Sequence, residues 1–308
     1  MYFLGDSPIK SEAKVWTQMP KPFRQGAKPT AWADANKAGA VIDSFLEGPL
    51  FDQQGNLYVT DIPYGRIFRI SPNGDWELVI QYNGEPNGLK WQRDGVLLIT
   101  DYLNGLMQLD VASKSVTPFL QRCNSESFKG VNDLTFDSQG NLYFTDQGQT
   151  GLHDPTGRVY RLSPAGQLQA LLSNVPSPHG LVLSPDEKVL YVAATRGNEV
   201  WRTPVMADGG TAKVGRFFTS HGPSGPDGMA MDVEGCLFIA NPGLGCVWRI
   251  NGRGEPTHVW TSPTGHAITN LAFGGQDNRQ VFVTESESGC VLTFEAPAPG
   301  VVVYSGKH

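Results

Sequence analysis

Asn132-Asp-Leu-Thr-Phe-Asp-Ser-Gln-Gly-Asn-Leu-Tyr-Phe-Thr-Asp146 joins two short apolar-rich runs through the polar link Asp137-Ser-Gln-Gly140. Alternation over so few residues reads as strands with one buried face, and the Gly-ended link reads as a hairpin turn. The same plan occurs five more times. Gly48-Pro-Leu-Phe51, Gly88-Leu-Lys-Trp91, Gly180-Leu-Val-Leu183, Gly228-Met-Ala-Met231 and Asn270-Leu-Ala-Phe273 open the other copies, and β-rich runs at 57–60, 96–100, 189–192, 237–239 and 281–284 close their hairpins. A third strand is readable at 66–70, 158–162 and 247–250, and a fourth at 76–80, 115–120, 168–172 and 257–260. Four short strands repeated every 40–48 residues predict the blades of a β-propeller.

The residue before each quartet sets the phase: Glu47, Asn87, Asn132, His179, Asp227 and Thr269. Six anchors predict an all-β, six-bladed propeller of four-stranded blades, closed by an N-terminal strand so that no edge stays exposed. The segment Ala40-Val-Ile-Asp-Ser-Phe45 stands where a fourth strand precedes every other quartet, and is expected to close the ring; Val301-Val-Val-Tyr304 is the alternative. On this division residues 1–39 form an N-terminal extension packed over the outside, and residues 40–308 form the propeller domain.

Composition agrees with many short strands. The 308 residues include 36 Gly and 22 Pro, too much punctuation for long helices. With 40% apolar residues a core is affordable in area, and global disorder is excluded. A net charge of −6 without Lys/Arg runs argues against nucleic acid and anionic membranes as partners. No window suits a membrane span, and the first residues lack the basic and apolar regions of a signal peptide, so a cytoplasmic protein is expected, as monomer or small homo-oligomer. Cys123, Cys236, Cys246 and Cys290 are irregularly spaced, form no Cys-x-x-Cys, and read as reduced structural residues.

In a propeller the first strand of each blade lines the central channel, so the six anchors form a ring at one mouth. Asp61, Asp101, Asp146, Ala194, Asn241 and Glu285 end the returning second strands and are expected as a second circle at the same mouth. Acids crowded into a partly dry pore repel one another, and a divalent ion held by oxygen ligands relieves that repulsion. For Asp61 and Asp101 the competing reading is a turn cap; for Asn87 before Gly88 it is a left-handed turn. His179 reads as ligand, base or hydrogen-bonded bystander. His153 lies in a loop beyond Asp146 on the same face.

Glu47-Gly-Pro-Leu-Phe51, Gly130-Val-Asn132-Asp, Pro226-Asp227-Gly-Met and Leu271-Ala-Phe-Gly-Gly275 resemble motifs of the senescence-marker-protein/gluconolactonase/luciferin-regenerating-enzyme family of regucalcin-like lactonases. They stand in the family's order at blade spacing, across residues 40–295. The resemblance implies hydrolysis of small esters, chiefly sugar-acid lactones, with one divalent metal at the tunnel mouth. It carries over Glu47, Asn132 and Asp227 as metal ligands, and an Asp227 carboxylate bound to the metal with one oxygen free can act as the catalytic base. The family's blade-four motif Pro-Asn-Gly-Leu reads Pro178-His179-Gly-Leu here, which makes His179 a candidate fourth ligand. An imidazole would favour Zn²⁺, Mn²⁺ or Fe²⁺ over Ca²⁺. Asn87, Asp146 and His153 are the candidate substrate-binding residues. No Gly-x-Ser-x-Gly elbow exists for a serine hydrolase. The rival readings are another metal-dependent ester or phosphoester hydrolase of the same fold, like the diisopropyl-fluorophosphatases, and a non-catalytic propeller that binds a partner.

Overall fold

The computed structural model describes residues 6–302 apart from residues 27 and 93. Six blades surround a channel. Blade one runs Leu46–Phe51, Leu57–Asp61, Arg66–Ile70 and Trp76–Gln81, each strand antiparallel to the next. Blades two, three and four repeat this order from Pro86–Trp91, Val131–Phe136 and Pro178–Leu183. Blade five starts at Met229–Met231 and carries Ile9–Glu12 as an added parallel outer strand beside Pro256–Thr261. Blade six is Ile268–Gly274, Gln280–Glu285 and Cys290–Glu295, completed by Lys14–Gln18.

The closing strand is therefore N-terminal, but it is Lys14–Gln18 and not the expected 40–45. Trp16 packs edge-on against Phe282 at 4.9 Å and Met19 is buried, which anchors this strand on blade six. Residues 41–45 are irregular because side chains, not a neighbouring strand, satisfy their backbone: Phe45 N–H donates to the Asp61 carboxylate (2.6 Å), and the Ile42 carbonyl accepts from Tyr64 Oη (2.6 Å). Of the alternative closing segment, Val301 and Val302 are irregular chain, and residues 303–304 lie outside the described residues. Nor does the N-terminal segment simply cover the outside. It edges two blades, and between Gln18 and Leu46 it crosses the channel mouth, where Ala31–Asn36 forms a short helix, α1, capped by the Thr30 hydroxyl.

The core lies between blades rather than within one layer. Tyr58 and Ile67 of blade one meet Leu89, Leu97 and Ile99 of blade two, and comparable buried clusters fill the later seams. Such face-to-face burial is the main stabilising term, and it needs the alternation seen in the sequence. A second device repeats around the ring. The hydroxyl of Thr60 donates to the carbonyl of Asn87 (2.8 Å), Thr100 to that of Asn132, Thr145 to that of His179 (2.7 Å), and Thr269 to that of Leu46 (2.8 Å). Four blades thus fix the backbone at, or one residue before, the anchor of the next.

Candidate metal centre

The innermost strands do not run true through their anchors. Pairing register shifts between Glu47 and Leu50, Pro86 and Leu89, Val131 and Leu134, Pro178 and Leu181, and Ile268 and Asn270. A bulge adds a residue on one strand and re-aims the local side chain; here it turns the anchors of five blades into the channel. The glycine that follows is demanded by crowding. A Cβ on Gly48 (φ +54°) would sit 2.0 Å from the Asn87 carbonyl oxygen, and one on Gly180 would sit 2.4 Å from that of Asp227.

All six anchors, Glu47, Asn87, Asn132, His179, Asp227 and Thr269, line one cavity of about 100 Å³. Glu47 is 3% exposed and Asp227 9%, yet neither has an ion-pair partner among the described residues. Burial pushes the Glu47 carboxyl up to about 7, against the opposing hydrogen bonds from Gly48 N–H (2.8 Å) and Asn270 Nδ2 (2.9 Å). Burial, then repulsion from Glu47, holds Asp227 well above the usual carboxylate range. Asn132 donates through Nδ2 to Gln147 Oε1 (2.9 Å), which leaves its Oδ1 for the cavity. Asn87 Oδ1 is buried without a hydrogen-bond partner among the described residues. The Nδ1 of half-buried His179 lies 3.0 Å from the Ser177 carbonyl, an acceptor, so Nδ1 carries the proton and Nε2 is bare. Burial keeps this ring neutral, with its pKa lowered to about 4.

Two buried acids, the free Oδ1 of Asn132 and a bare imidazole nitrogen line one space, with the orphaned Oδ1 of Asn87 beside them, and form a donor set suited to a divalent cation. Thr269 is different: its hydroxyl is spent on Leu46 and neighbouring hydroxyls. The roof comes from elsewhere in the chain, with Trp32, Asn36, Lys37 and Phe45 closing over Tyr102, Gln147, Arg196 and the ring.

The second circle is not a second set of ligands. Asp61 accepts from Phe45 N–H, Asp101 from Glu85 N–H (3.1 Å) and Asp146 from Gly130 N–H (2.8 Å). Each acid holds the backbone two residues before the anchor of its own blade, so these acids brace the entry of that blade's first strand. Asp61 also forms a buried ion pair with Arg66, and Glu285 folds onto the Thr264 and Ser288 hydroxyls. Asp146, expected as a substrate contact, is fully buried behind the ring and does not line the cavity. His153 stands exposed on its loop outside it. Sequence reasoning missed Lys37, Arg196, Tyr102, Gln147 and Ser177. Tyr102 and Gln147 carried a signal, directly after Asp101 and Asp146.

Two other places invite comparison. A roomier cavity of about 270 Å³ occupies the opposite end of the innermost strands, but its lining is largely apolar, including Phe51, Trp91, Met229, Met231 and Phe273. Asp232, Glu234 and Cys236 cluster in a blade-five turn, where the Arg249 guanidinium already pairs with both acids at 2.8 and 2.6 Å. The four cysteines are free.

Residues 45–287 match the profile of the SMP-30/Gluconolactonase/LRE-like region. The chain belongs to this family. Lactonase drp35 of Staphylococcus aureus strain MRSA252 is 31% identical over 276 residues, covering 83% of this chain and 79% of that protein. Among solved structures, a calcium-binding regucalcin from Agrobacterium tumefaciens superposes with a TM-score of 0.75 at 21% identity over 98% of both chains. A gluconolactonase from Xanthomonas campestris gives 0.73 at 20% identity over 93% of this chain and 95% of its own. At such identities the structures share the propeller fold. No described helix is long and apolar enough to cross a membrane.

Proposed function

We propose that this protein is a metal-dependent hydrolase that opens a small lactone of the sugar-acid type. One observation carries the reading: Glu47 and Asp227 are buried together without a paired cation, beside the unpartnered Oδ1 of Asn87 and the bare Nε2 of His179. Two acids brought so close destabilise each other unless protonated or bound to a cation. Membership of a family whose named relatives include lactonases and gluconolactonases supports the choice of reaction.

Glu47, Asn132 and Asp227 would hold the ion, with His179 Nε2 as a fourth donor. A divalent ion there would polarise the lactone carbonyl and acidify a water molecule. The chain's own part is positional and protonic. Gly48 N–H and Asn270 occupy one Glu47 oxygen and so fix the other toward the cavity. Gln147 holds the Asn132 amide in its orientation. Among the described residues Asp227 has no side-chain hydrogen bond that would immobilise its second oxygen, so that oxygen takes a proton from the attacking water and returns it to the ring oxygen as the acyl C–O bond breaks. Asn87, at the cavity wall, is placed to donate an amide N–H to the substrate's carbonyl or hydroxyls. Trp32 and Phe45, with rings 4.7 Å apart, form an apolar roof that limits water.

The test is a lactone panel followed by acid release, before and after chelation and with Ca²⁺, Mn²⁺, Zn²⁺ or Fe²⁺ restored singly. Turnover that disappears with chelator and returns with one ion is expected. Turnover indifferent to chelation removes the metal from the reading, and a phosphoester hydrolysed faster than every lactone would favour the rival hydrolase.

A further inference from the structure

The detour that roofs the cavity delivers a charge which the hydrolytic reading leaves unused. Lys37 closes the C-terminus of α1, its N–H bonded to the Ala33 carbonyl, and its Nζ sits 4.4 Å from the Phe45 ring centroid and 5.9 Å from that of Trp32. Both rings line the cavity, so the ammonium is held at its rim although the residue as a whole is exposed. The helix end is itself tied down. Gln149 Nε2 donates to Asn36 Oδ1 (3.0 Å) and to Tyr102 Oη (2.8 Å), which links α1 to blades two and three.

Arg196 reaches the same cavity from the turn Thr195–Gly197 at the end of the second strand of blade four. Among the described residues neither cation has a carboxylate within ion-pair distance. Lys37 lies close enough to Arg196, Glu47 and Asp227 for their charges to be felt, and Arg196 acts in the same way on Asp227. With the two acids facing a dication, their charge is matched and the two side chains remain as uncompensated positive charge on the rim. A neutral substrate would leave them so. A substrate with an oxyanion beyond its lactone ring would pair with both, the guanidinium by its fork and the ammonium as a point charge.

We propose that Lys37 and Arg196 form an oxyanion subsite, so that the preferred lactone bears a carboxylate or a phosphate group. This rests on the lactonase reading, and the experiment separates the two. The wild type, Lys37→Met, Arg196→Met and Lys37→Arg are compared by kcat/KM on gluconolactone, on the monolactone of glucaric acid and on a phosphorylated gluconolactone. Calorimetric titration with glucarate and with gluconate in the presence of metal runs beside the kinetics. The ratio of anionic to neutral kcat/KM is expected to fall about five- to tenfold for each cation removed, to shrink with added salt, and to recover in Lys37→Arg. The anionic lactone with the larger ratio identifies the oxyanion. Equal losses on neutral and charged lactones, or no preference of the wild type for either anionic lactone over gluconolactone, overturn the subsite. If no lactone is opened but glucarate is preferred and Lys37→Met removes the preference, the subsite stands and the hydrolytic reading falls.

Discussion

Metal binding at this mouth should consume base, and the amount follows from which groups hold protons in the metal-free protein. Glu47 has its pKa raised to about 7 and Asp227 lies well above the carboxylate range, both chiefly through burial. A cation can bind only to the deprotonated acids, so protons compete with it. For one group at about 7, the apparent dissociation constant should rise about tenfold on going from about pH 8 to about pH 6, and by more if Asp227 must ionise as well. His179 contributes nothing in that window, because its ring stays neutral down to about 4. The loss of affinity near pH 6.5 expected from an ordinary histidine is thereby reassigned to the two acids. Calcium titration calorimetry in two buffers of different ionisation enthalpy counts the protons released, and Glu47→Gln should lower that count. The stability of the metal-free protein carries the opposite sign. The folded chain binds more protons than the unfolded chain between about 4.5 and 7, so its stability falls as pH rises through that range, and saturating metal should reverse the slope. A metal affinity flat from pH 6 to pH 8 would refute the picture of two protonated, mutually repelling acids.

Asp227→Asn should abolish lactone turnover with the melting transition retained, and a variant with most of the wild-type rate would remove Asp227 as base. Glu47→Gln should weaken the metal more than Asn132→Ala, since it deletes a formal charge facing a dication; competition against a fluorescent chelator ranks the two, and a reversed order contradicts it. His179→Asn should move metal preference toward Ca²⁺, because it exchanges a bare imidazole nitrogen for an amide oxygen, and an unchanged order of activation by Ca²⁺, Mn²⁺, Zn²⁺ and Fe²⁺ makes His179 a bystander. Deleting residues 1–18 should cost at least about 3 kcal/mol and promote association, since it strips the buried Met19 of its strand and bares the edge of Cys290–Glu295; an unaltered melting temperature would argue against Lys14–Gln18 as the closing strand.

How far the site was legible depended on what the repeat could encode. A repeat fixes phase, and phase alone placed Glu47, Asn87, Asn132, His179, Asp227 and Thr269 in one cavity. It says where along the barrel a residue sits but not which way its side chain turns. That is why Asp61, Asp101 and Asp146 read as a second circle at the mouth. Their carboxylates are claimed by backbone N–H groups at Phe45, Glu85 and Gly130, and the threonines beside them claim the anchor carbonyls. The Thr-Asp pair is thus a structural staple: the threonine grips the anchor carbonyl of the next blade, and the aspartate grips the entry of its own blade's first strand. Only the turn-cap alternative, weighed for Asp61 and Asp101, pointed this way.

The closing strand was misplaced for a related reason, and the consequence bears on function. In four of the five other blades the fourth strand, ending at Gln81, Val175, Thr219 or Thr261, leads directly to the next anchor, so a strand-like segment just before Glu47 fits the pattern. Here Gln18 and Glu47 are separated by a long detour, and 40–45 is its last stretch, held by Asp61 and Tyr64 side chains. A ring closed at 40–45 would have no chain to spare at the mouth. Closing it with Lys14–Gln18 frees the residues between, and these supply Trp32, Asn36, Lys37 and Phe45 to the cavity. The six-residue helix α1 is too short to announce itself by periodicity, and Lys37 belongs to no repeat, so neither was visible in the blade pattern. The repeated part of the chain therefore builds the floor that would hold the ion, whereas the part outside the repeat builds the roof that a substrate meets. Selectivity for the substrate should accordingly respond to changes in residues 30–45 that leave metal affinity largely in place, and changes at Glu47 or Asp227 should do the reverse.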